Sequence, residues 1–583
     1  MSLPITRRRF VAVNTQAASL LLASRFAKID APREERSGAE ETVFAKLDQF
    51  VEAYMREMNA PGMTLVLADR SGIQRETAYG FADVEGRVNM SSRQQFEIGS
   101  IGKSFTAISL LQLVDEGKLD LHKPILEYLP WFRMTSSFSP ITTHHLLTHS
   151  SGLPGIPPVF ASDPAHQHRP AYPPGEHFYY CNMGYELLGH LLWTLGGREI
   201  GDAYRQRILA PLEMNETDPL TTLEARGKIS KSYYPFQNDR PYPRHGRLGQ
   251  APAAIYTLGS GSIVSTARDM GSYICMIANR GAGPRRKLLS DASFALFSKP
   301  YIRYWNPEPD SGYGYGIEVS RVEEHTVLSH TGGTNSFASA MHIDMDDGVG
   351  AFASINAMQG YRPEPVTQYA VALMRAHHAK QRLPRMPALD APGRIPAAAD
   401  YAGTYQHHDG RTMKIIANGE SLSLLHKGKR VPLETLESLG TLVEAPDVSF
   451  LAQHPDFARF ALTFGRADPA DPKSEIVEAN WGGDWYTNSR YQGPREFEYP
   501  KEWDAYVGHY RNENPSLGSV HVVLRKGKLM LDGVVPLQSE QGGLFLLRDD
   551  EHSPEWIRFA DTVNGKAMRL KISGEDMWRV MTD

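Results

Sequence analysis

Wound at 3.6 residues per turn, Phe44, Leu47, Phe50, Val51 and Tyr54 fall on one stripe. They predict a helix over residues 41–60, closed by Pro61-Gly62. Met63 to Ala68 then reads as a strand, and a turn at Asp69-Arg70-Ser71-Gly72 leads into a second strand through Ala78-Tyr79-Gly80. After Phe96 the period changes again. Phe105, Ile108, Leu111 and Val114 recur every three residues, the mark of an amphipathic helix that Gly117 stops. Leu187, Leu188, Leu191 and Leu192 belong to another helix, and Thr142 to His149 to a short one. Strands are expected at Gly312 to Val319, Thr326 to Ser329, Ala340 to Ile343 and Gly350 to Ile355, and a last helix at Val366 to His377. The pattern describes a mixed α/β core.

Past residue 381 the pattern breaks. Residues 382–399 carry Pro384, Pro387, Pro392 and Pro396 among small residues and read as a linker. An internal repeat follows: Tyr401-Ala402-Gly403-Thr404-Tyr405 returns as Tyr506-Val507-Gly508-His509-Tyr510. Each copy continues in short alternating strands and ends on a tryptophan strand, at Trp485-Tyr486 and at Trp578-Arg579-Val580. Two copies are too few for a solenoid and fit two small antiparallel β-barrels, over residues 400–493 and 501–583.

Composition narrows the classes. The chain has 583 residues, 41% hydrophobic and 22% charged, so it is globular and too long for a single core. Its net charge of −5, without a long basic run, argues against nucleic acid as a partner. No apolar run reaches the ~18 residues of a membrane span. Two cysteines, Cys181 and Cys275, exclude a disulfide framework. Residues 1–40 read as an export signal or a disordered N-terminal segment. Thr6-Arg7-Arg8-Arg9-Phe10 precedes an apolar stretch from Ala17 to Ser24, which resembles a twin-arginine signal. The expected location is therefore periplasmic or secreted, and cytoplasmic if that stretch is only a basic tail.

The candidate chemistry starts at Ser100. Ser100 and Lys103 stand three apart at a helix start and share a face, where an amine of lowered pKa can take the hydroxyl proton. By itself this motif is expected about once by chance in a chain of this size. Tyr180 and Asn182, two apart on a turn entering a helix, offer a proton-shuttling phenol and an orienting carboxamide. His330-Thr331-Gly332-Gly333 places a titratable ring before a glycine pair that lets a ligand approach a strand's backbone. The glycine-rich turn from Leu258 to Ser262 lacks the Gly-Lys-Ser/Thr of a phosphate loop and suits close packing near a site. His145 and His149 are four apart, but no third ligand stands at a metal-binding spacing.

In this order and spacing the motifs resemble those of the penicillin-recognising serine hydrolases, in the branch of class C β-lactamases, D-aminopeptidases and related esterases. The resemblance covers roughly residues 41–380. It extends to His145-Leu146-Leu147-Thr148-His149-Ser150-Ser151-Gly152-Leu153-Pro154, to the Pro174-Gly175-Glu176 lead-in and to Ser265-Thr266-Ala267-Arg268-Asp269. It implies a β-lactamase/transpeptidase-like α/β (α+β) domain over 41–381, an antiparallel sheet flanked by helices plus an all-helical region. The trailing barrels resemble the lipocalin-like C-terminal domains of the D-aminopeptidase group.

The resemblance implies Ser100 as the acylated nucleophile, Lys103 and Tyr180 as general base and acid, and Asn182 as the group orienting Lys103 and the substrate amide. His330, Thr331 and Gly332 would line the substrate site, and the N–H groups of Ser100 and Gly333 would form the oxyanion hole. No metal or cofactor is implied. The partner expected is a small molecule or short peptide, and an oligomer is compatible with the family. Two departures stand out. His330 replaces the lysine that β-lactamases and cell-wall carboxypeptidases carry, which argues against a substrate carboxylate as the main anchor. Cys181 stands where serine is usual. The expected activity is a D-aminopeptidase-like peptidase or amidase. The alternatives are a carboxylesterase on small acyl esters, a β-lactamase or D-Ala-D-Ala carboxypeptidase, and a non-catalytic sensor.

Overall fold

The computed structural model describes residues 29–30 and 38–581, apart from 156–158, 161–167, 238, 242, 253–254, 305–310, 359–361, 390, 437–448, 472, 514–517 and 548–551. The arginine-rich segment at residues 6–24 lies outside the described residues.

The N-terminal body is built on a nine-stranded sheet. Its long strands are β1 (Gly62–Asp69), β2 (Gly72–Asp83), β3 (Gly312–Tyr313), β4 (Glu318–Val322), β5 (His325–Gly333), β6 (Ala338–Asp344) and β7 (Val349–Ile355). They lie in the antiparallel order β2-β1-β7-β6-β5-β4-β3, so the last strands of the body pair with the first. The period-2 alternation of β1 decides which helix covers which face. Leu65 and Leu67 point to α1 (Gly38–Glu57) and α5 (Glu364–His378), where they join Phe50, Val51, Tyr54, Tyr369 and Leu373. Val66 points the other way, into the larger core with Leu328, Met341 and Phe352. That core is filled by α2 (Gly102–Asp115), α3 (Asn182–Gly196) and α4 (Ala267–Ala278).

Two sequence expectations need correction. α2 is not amphipathic: every residue from Gly102 to Leu113 is buried. Of its polar positions, Ser104, Thr106 and Gln112 find partners inside. Ser104 Oγ meets Tyr273 Oη at 2.7 Å, and Thr106 Oγ1 lies 2.6 Å from Tyr204 Oη and donates to the Gly259 carbonyl at 2.6 Å. Hydrogen bonding of this kind lets a polar face be buried at little cost. The expected strand from Gly312 to Val319 is broken into β3 and β4. Gly316 turns at φ +69° between them, and a Cβ there would stand 2.6 Å from the Lys103 carbonyl oxygen, so this turn seats directly on the first turn of α2.

Two closed eight-stranded antiparallel barrels follow the body. The first runs from strand Gly403–Gln406 to strand Asp484–Thr487 and closes through Gln406 opposite Thr487. The second runs from Gly508–Arg511 to Glu575–Arg579 and closes through Arg511 opposite Trp578. The repeated tyrosines do the same work in each: Tyr405 Oη donates to the Tyr401 carbonyl and Tyr510 Oη to the Tyr506 carbonyl. No helix among the described residues is long and apolar enough to cross a membrane.

Candidate active site

Ser100 sits in a 3-10 turn, Gly99–Ile101, that runs straight into α2. Gly99 makes the turn at φ +55°, and a Cβ on it would stand 2.5 Å from the Gly333 nitrogen. A Cβ on Gly332 would fall on the Ile98 carbonyl oxygen, and one on Gly261 would lie 3.0 Å from the Gly99 carbonyl carbon. The backbone before Ser100 is thus clamped between the glycine pair of β5 and the glycine-rich turn of 258–262. Only glycine permits this approach. The clamp sets the amide of Gly333 beside the start of the turn that carries Ser100.

Lys103 is wholly buried one turn on. Its Nζ lies 2.9 Å from Ser100 Oγ, 2.8 Å from Asn182 Oδ1 and 2.9 Å from the Ser260 carbonyl oxygen. The ring of Tyr180 covers it at 4.7 Å and that of Tyr185 at 5.5 Å. Burial pulls its pKa down from 10.5 to about 7, against the opposing pull of Cys181 and Glu186. Two of the three Nζ neighbours, an amide oxygen and a peptide carbonyl, can only accept hydrogen bonds. A neutral amine therefore spends its two N–H bonds on them and turns its lone pair to the Ser100 hydroxyl.

Tyr180 closes the other side. Burial holds its phenol protonated, well above its ordinary pKa of 10, against the lowering influence of the neighbouring Ser100. Asn182 opens α3 and is exposed, so the amide that steadies Lys103 through its oxygen keeps its NH2 group at the open side. Cys181, the departure from serine, caps the same helix. Its Sγ accepts the Gly184 N–H at 3.2 Å and contacts the Pro154 carbonyl oxygen at 3.2 Å, as a small hydroxyl would. Cys181 and Cys275 are both free thiols.

His330 is buried on β5. Its Nδ1 faces the Thr331 carbonyl oxygen, which only accepts, so the proton is on Nδ1 and Nε2 accepts from Tyr313 Oη at 2.9 Å. Burial, and next the Lys103 charge, push its pKa down to about 3. The ring is a neutral wall, not a cation. Thr331 beside it is part-buried.

Other residues also shape the site. His149 packs its ring 4.2 Å from that of Tyr180 and 4.8 Å from that of Tyr313, and its Nδ1 accepts the Cys181 N–H at 2.9 Å. The pair His145 and His149 is thus not a ligand pair: His145 Nδ1 instead accepts the Thr142 N–H at 3.1 Å in a capping box. Arg362, ahead of α5, comes close enough to Gly333 that a Cβ there would meet its guanidinium at 2.5 Å. Glu555 arrives from the second barrel. It is fully buried, and its Oε1 accepts from the Gly155 N–H at 2.6 Å and from Tyr179 Oη at 3.4 Å, while Ser573 donates to its Oε2. His552 stacks on His177 at 3.6 Å in the same contact. The second barrel therefore braces the loop that delivers Tyr180 and Asn182. These contacts join segments separated by up to 400 residues, for which no local spacing rule exists.

Comparison with known proteins agrees with this geometry. The chain is similar to Protein flp of Staphylococcus aureus (strain MW2), 22% identical over 346 residues, 55% of this chain and 64% of that protein. It therefore spans a little under two thirds of that relative. It is 26% identical to Penicillin-binding protein 4 of Amycolatopsis lactamdurans over 387 residues, 62% of this chain and 96% of that one. It shares its fold with the solved octameric penicillin-binding protein homologue from Pyrococcus abyssi, at a TM-score of 0.53 and 22% identity over 76% of this chain and 99% of that chain. The beta-lactamase family model matches residues 47–375, more than half of the chain, a span that includes Ser100, Lys103, Tyr180, Asn182 and His330. The chain belongs to the beta-lactamase family.

Proposed function

We propose that this chain is a serine hydrolase acting on small peptides or amides in the manner of a D-aminopeptidase, with Ser100 as nucleophile. The observation that carries the reading is the buried amine of Lys103, 2.9 Å from Ser100 Oγ with its other two neighbours both acceptors. In acylation the Ser100 hydroxyl gives its proton to neutral Lys103 as Oγ bonds to the carbonyl carbon. The N–H groups of Ser100 and Gly333 take the oxyanion, an interaction worth roughly 3–4 kcal/mol per donor in comparable sites. The tetrahedral centre collapses, the C–N bond breaks, and the departing amine receives a proton from the Tyr180 phenol, which is made good from Lys103. Water then attacks the ester, its proton returns through the same pair, and Ser100 is freed.

Two features favour an amide or peptide. The exposed Asn182 has an NH2 group free of Lys103 to donate to a substrate carbonyl. The second barrel is locked to the rim through Glu555 and His552, which favours short substrates. The neutral, fully engaged His330 argues against anchoring a carboxylate there, and so against dedicated β-lactam or carboxypeptidase chemistry. The named likeness to Penicillin-binding protein 4 favours that second reading.

One substrate panel on wild type and Ser100→Ala decides between them: p-nitroanilides of D- and L-amino acids, p-nitrophenyl acyl esters and a chromogenic cephalosporin. Turnover of amino-acid anilides that requires their free amine, lost in Ser100→Ala, is the expected result. Turnover of esters alone, or of the cephalosporin in preference to the anilides, would overturn the aminopeptidase reading.

A further inference from the structure

The first barrel carries a group of side chains that the hydrolytic site does not use. His426 ends the strand Ser421–His426, and His454 and Asp456 flank Pro455 at a 3-10 turn, Pro455–Phe457, that follows strand Phe450–Ala452. One ring nitrogen of each histidine and one carboxylate oxygen of Asp456 all lie within 4.8 Å of one another. His426 Nε2 is 2.8 Å from Asp456 Oδ2, and His454 Nδ1 is 4.0 Å from Asp456 Oδ1.

The geometry points to a divalent transition-metal site of the zinc class formed by His426, His454 and Asp456. Two imidazoles and a carboxylate are the donor set that zinc takes, at about 2.0–2.2 Å, with a fourth position left for water or an added ligand. Ligand atoms at that distance and at tetrahedral angles stand roughly 3.3 Å apart. With Asp456 Oδ2 as the carboxylate donor, the 2.8 Å pair has to open slightly and the other pairs, none beyond 4.8 Å, to close, which rotations of side chains on two turns can supply.

The surroundings suit a held ion. Phe457 lies beneath both histidines, its ring 4.9 Å from that of His426 and 6.4 Å from that of His454, and is itself packed on Trp481 at 5.7 Å. The Trp481 indole N–H donates to the Phe457 carbonyl at 3.3 Å, fixing the turn. An apolar floor of this kind limits solvent around the ligands.

Two existing contacts compete with an ion. Lys427 Nζ sits 2.9 Å from Asp456 Oδ2, and the Asp456 N–H caps on His454 Nδ1 at 3.2 Å. The lysine side chain is 75% exposed and can swing away, so the ammonium acts as a displaceable stand-in for the cation. The other cluster of this type, His325, Asp344 and Asp346, is different: Arg375 Nε stands 3.1 Å from Asp344 Oδ2 and already neutralises it. Bound metal would clip the turn after His426 to the turn at Pro455, two points 28 to 30 residues apart in the chain.

The test titrates zinc chloride into the full-length chain by calorimetry and follows thermal unfolding with and without the ion. Wild type should show one saturable site above the weak background of its other histidines, and a zinc-dependent rise in Tm. His426→Ala/His454→Ala should weaken that site by roughly tenfold or more and abolish the rise. Lys427→Ala, which removes the competing ammonium and no ligand, should bind more tightly than wild type. Equal zinc affinity in wild type and the double variant would overturn the proposal, as would unchanged or weaker binding in Lys427→Ala. Far-UV circular dichroism of the metal-free variants confirms that the barrel is folded in each.

Discussion

The base assigned to Ser100 can be tested through its ionisation. Burial brings Lys103 from 10.5 to about 7. That difference corresponds to about 5 kcal/mol of disfavoured charge. It also sets how much enzyme is ready to react. An amine of ordinary pKa would be neutral in about one molecule in three thousand at pH 7, and an amine of pKa about 7 in about half of them. The value of kcat/KM should therefore rise about tenfold per pH unit below about 7 and level off above it. Tyr180 should add no falling limb before pH 10, because burial keeps its proton on. Lys103→Arg removes the neutral form, since a guanidinium stays charged throughout this range. It should cost roughly a thousandfold, within the usual span for a lost general base. The assay is initial-rate kinetics from pH 5 to 9.5 on the best substrate of the panel, in buffers of constant ionic strength. A flat wild-type profile, or a Lys103→Arg enzyme within tenfold of wild type, would refute the assignment.

Three further outcomes follow from the geometry. Asn182→Asp places a carboxylate where Oδ1 now lies 2.8 Å from Lys103 Nζ; it should move the rising limb of the pH profile upward by about two pH units, checked by the same kinetics. Gly332→Ala would drive a Cβ into the Ile98 carbonyl oxygen; it should destabilise the chain by about 1–3 kcal/mol in urea unfolding and remove most activity, because the amide of Gly333 shifts. Glu555→Ala strips the acceptor from the Gly155 amide and from two hydroxyls; it should cost about 3 kcal/mol and make the 494–500 connection sensitive to limited proteolysis, while Glu555→Gln, which keeps an acceptor, is milder.

The parts of this molecule legible in the sequence are those governed by local spacing. Ser100 and Lys103 are one helical turn apart, Tyr180 and Asn182 flank a helix start, and the glycine pair after His330 marks a close backbone approach. Each of these leaves a signature within a few residues. The near-continuous apolar run of β1, Met63 to Ala68, likewise leaves neither face for solvent. Other features depend on distant partners and leave no such mark. The hydroxyls of Ser104 and Thr106 are buried in α2 against tyrosines from two other helices and the Gly259 carbonyl, partners that no local spacing announces. Glu555 is an ordinary acidic residue in a barrel loop until the barrel is docked on Tyr179 and Gly155. His149 resembles half of a metal pair because its true neighbours, Tyr180 and Tyr313, come from elsewhere in the chain.

The central claim is that Ser100 Oγ forms the covalent bond to the acyl group, and covalent labelling addresses it most directly. A fluorophosphonate reacts with an activated serine by forming a P–O bond and releasing fluoride. Intact-mass spectrometry followed by peptide mapping should find a single adduct on wild type, located on Ser100, and none on Ser100→Ala. An adduct on another residue, or equal labelling of the two proteins, would contradict the account.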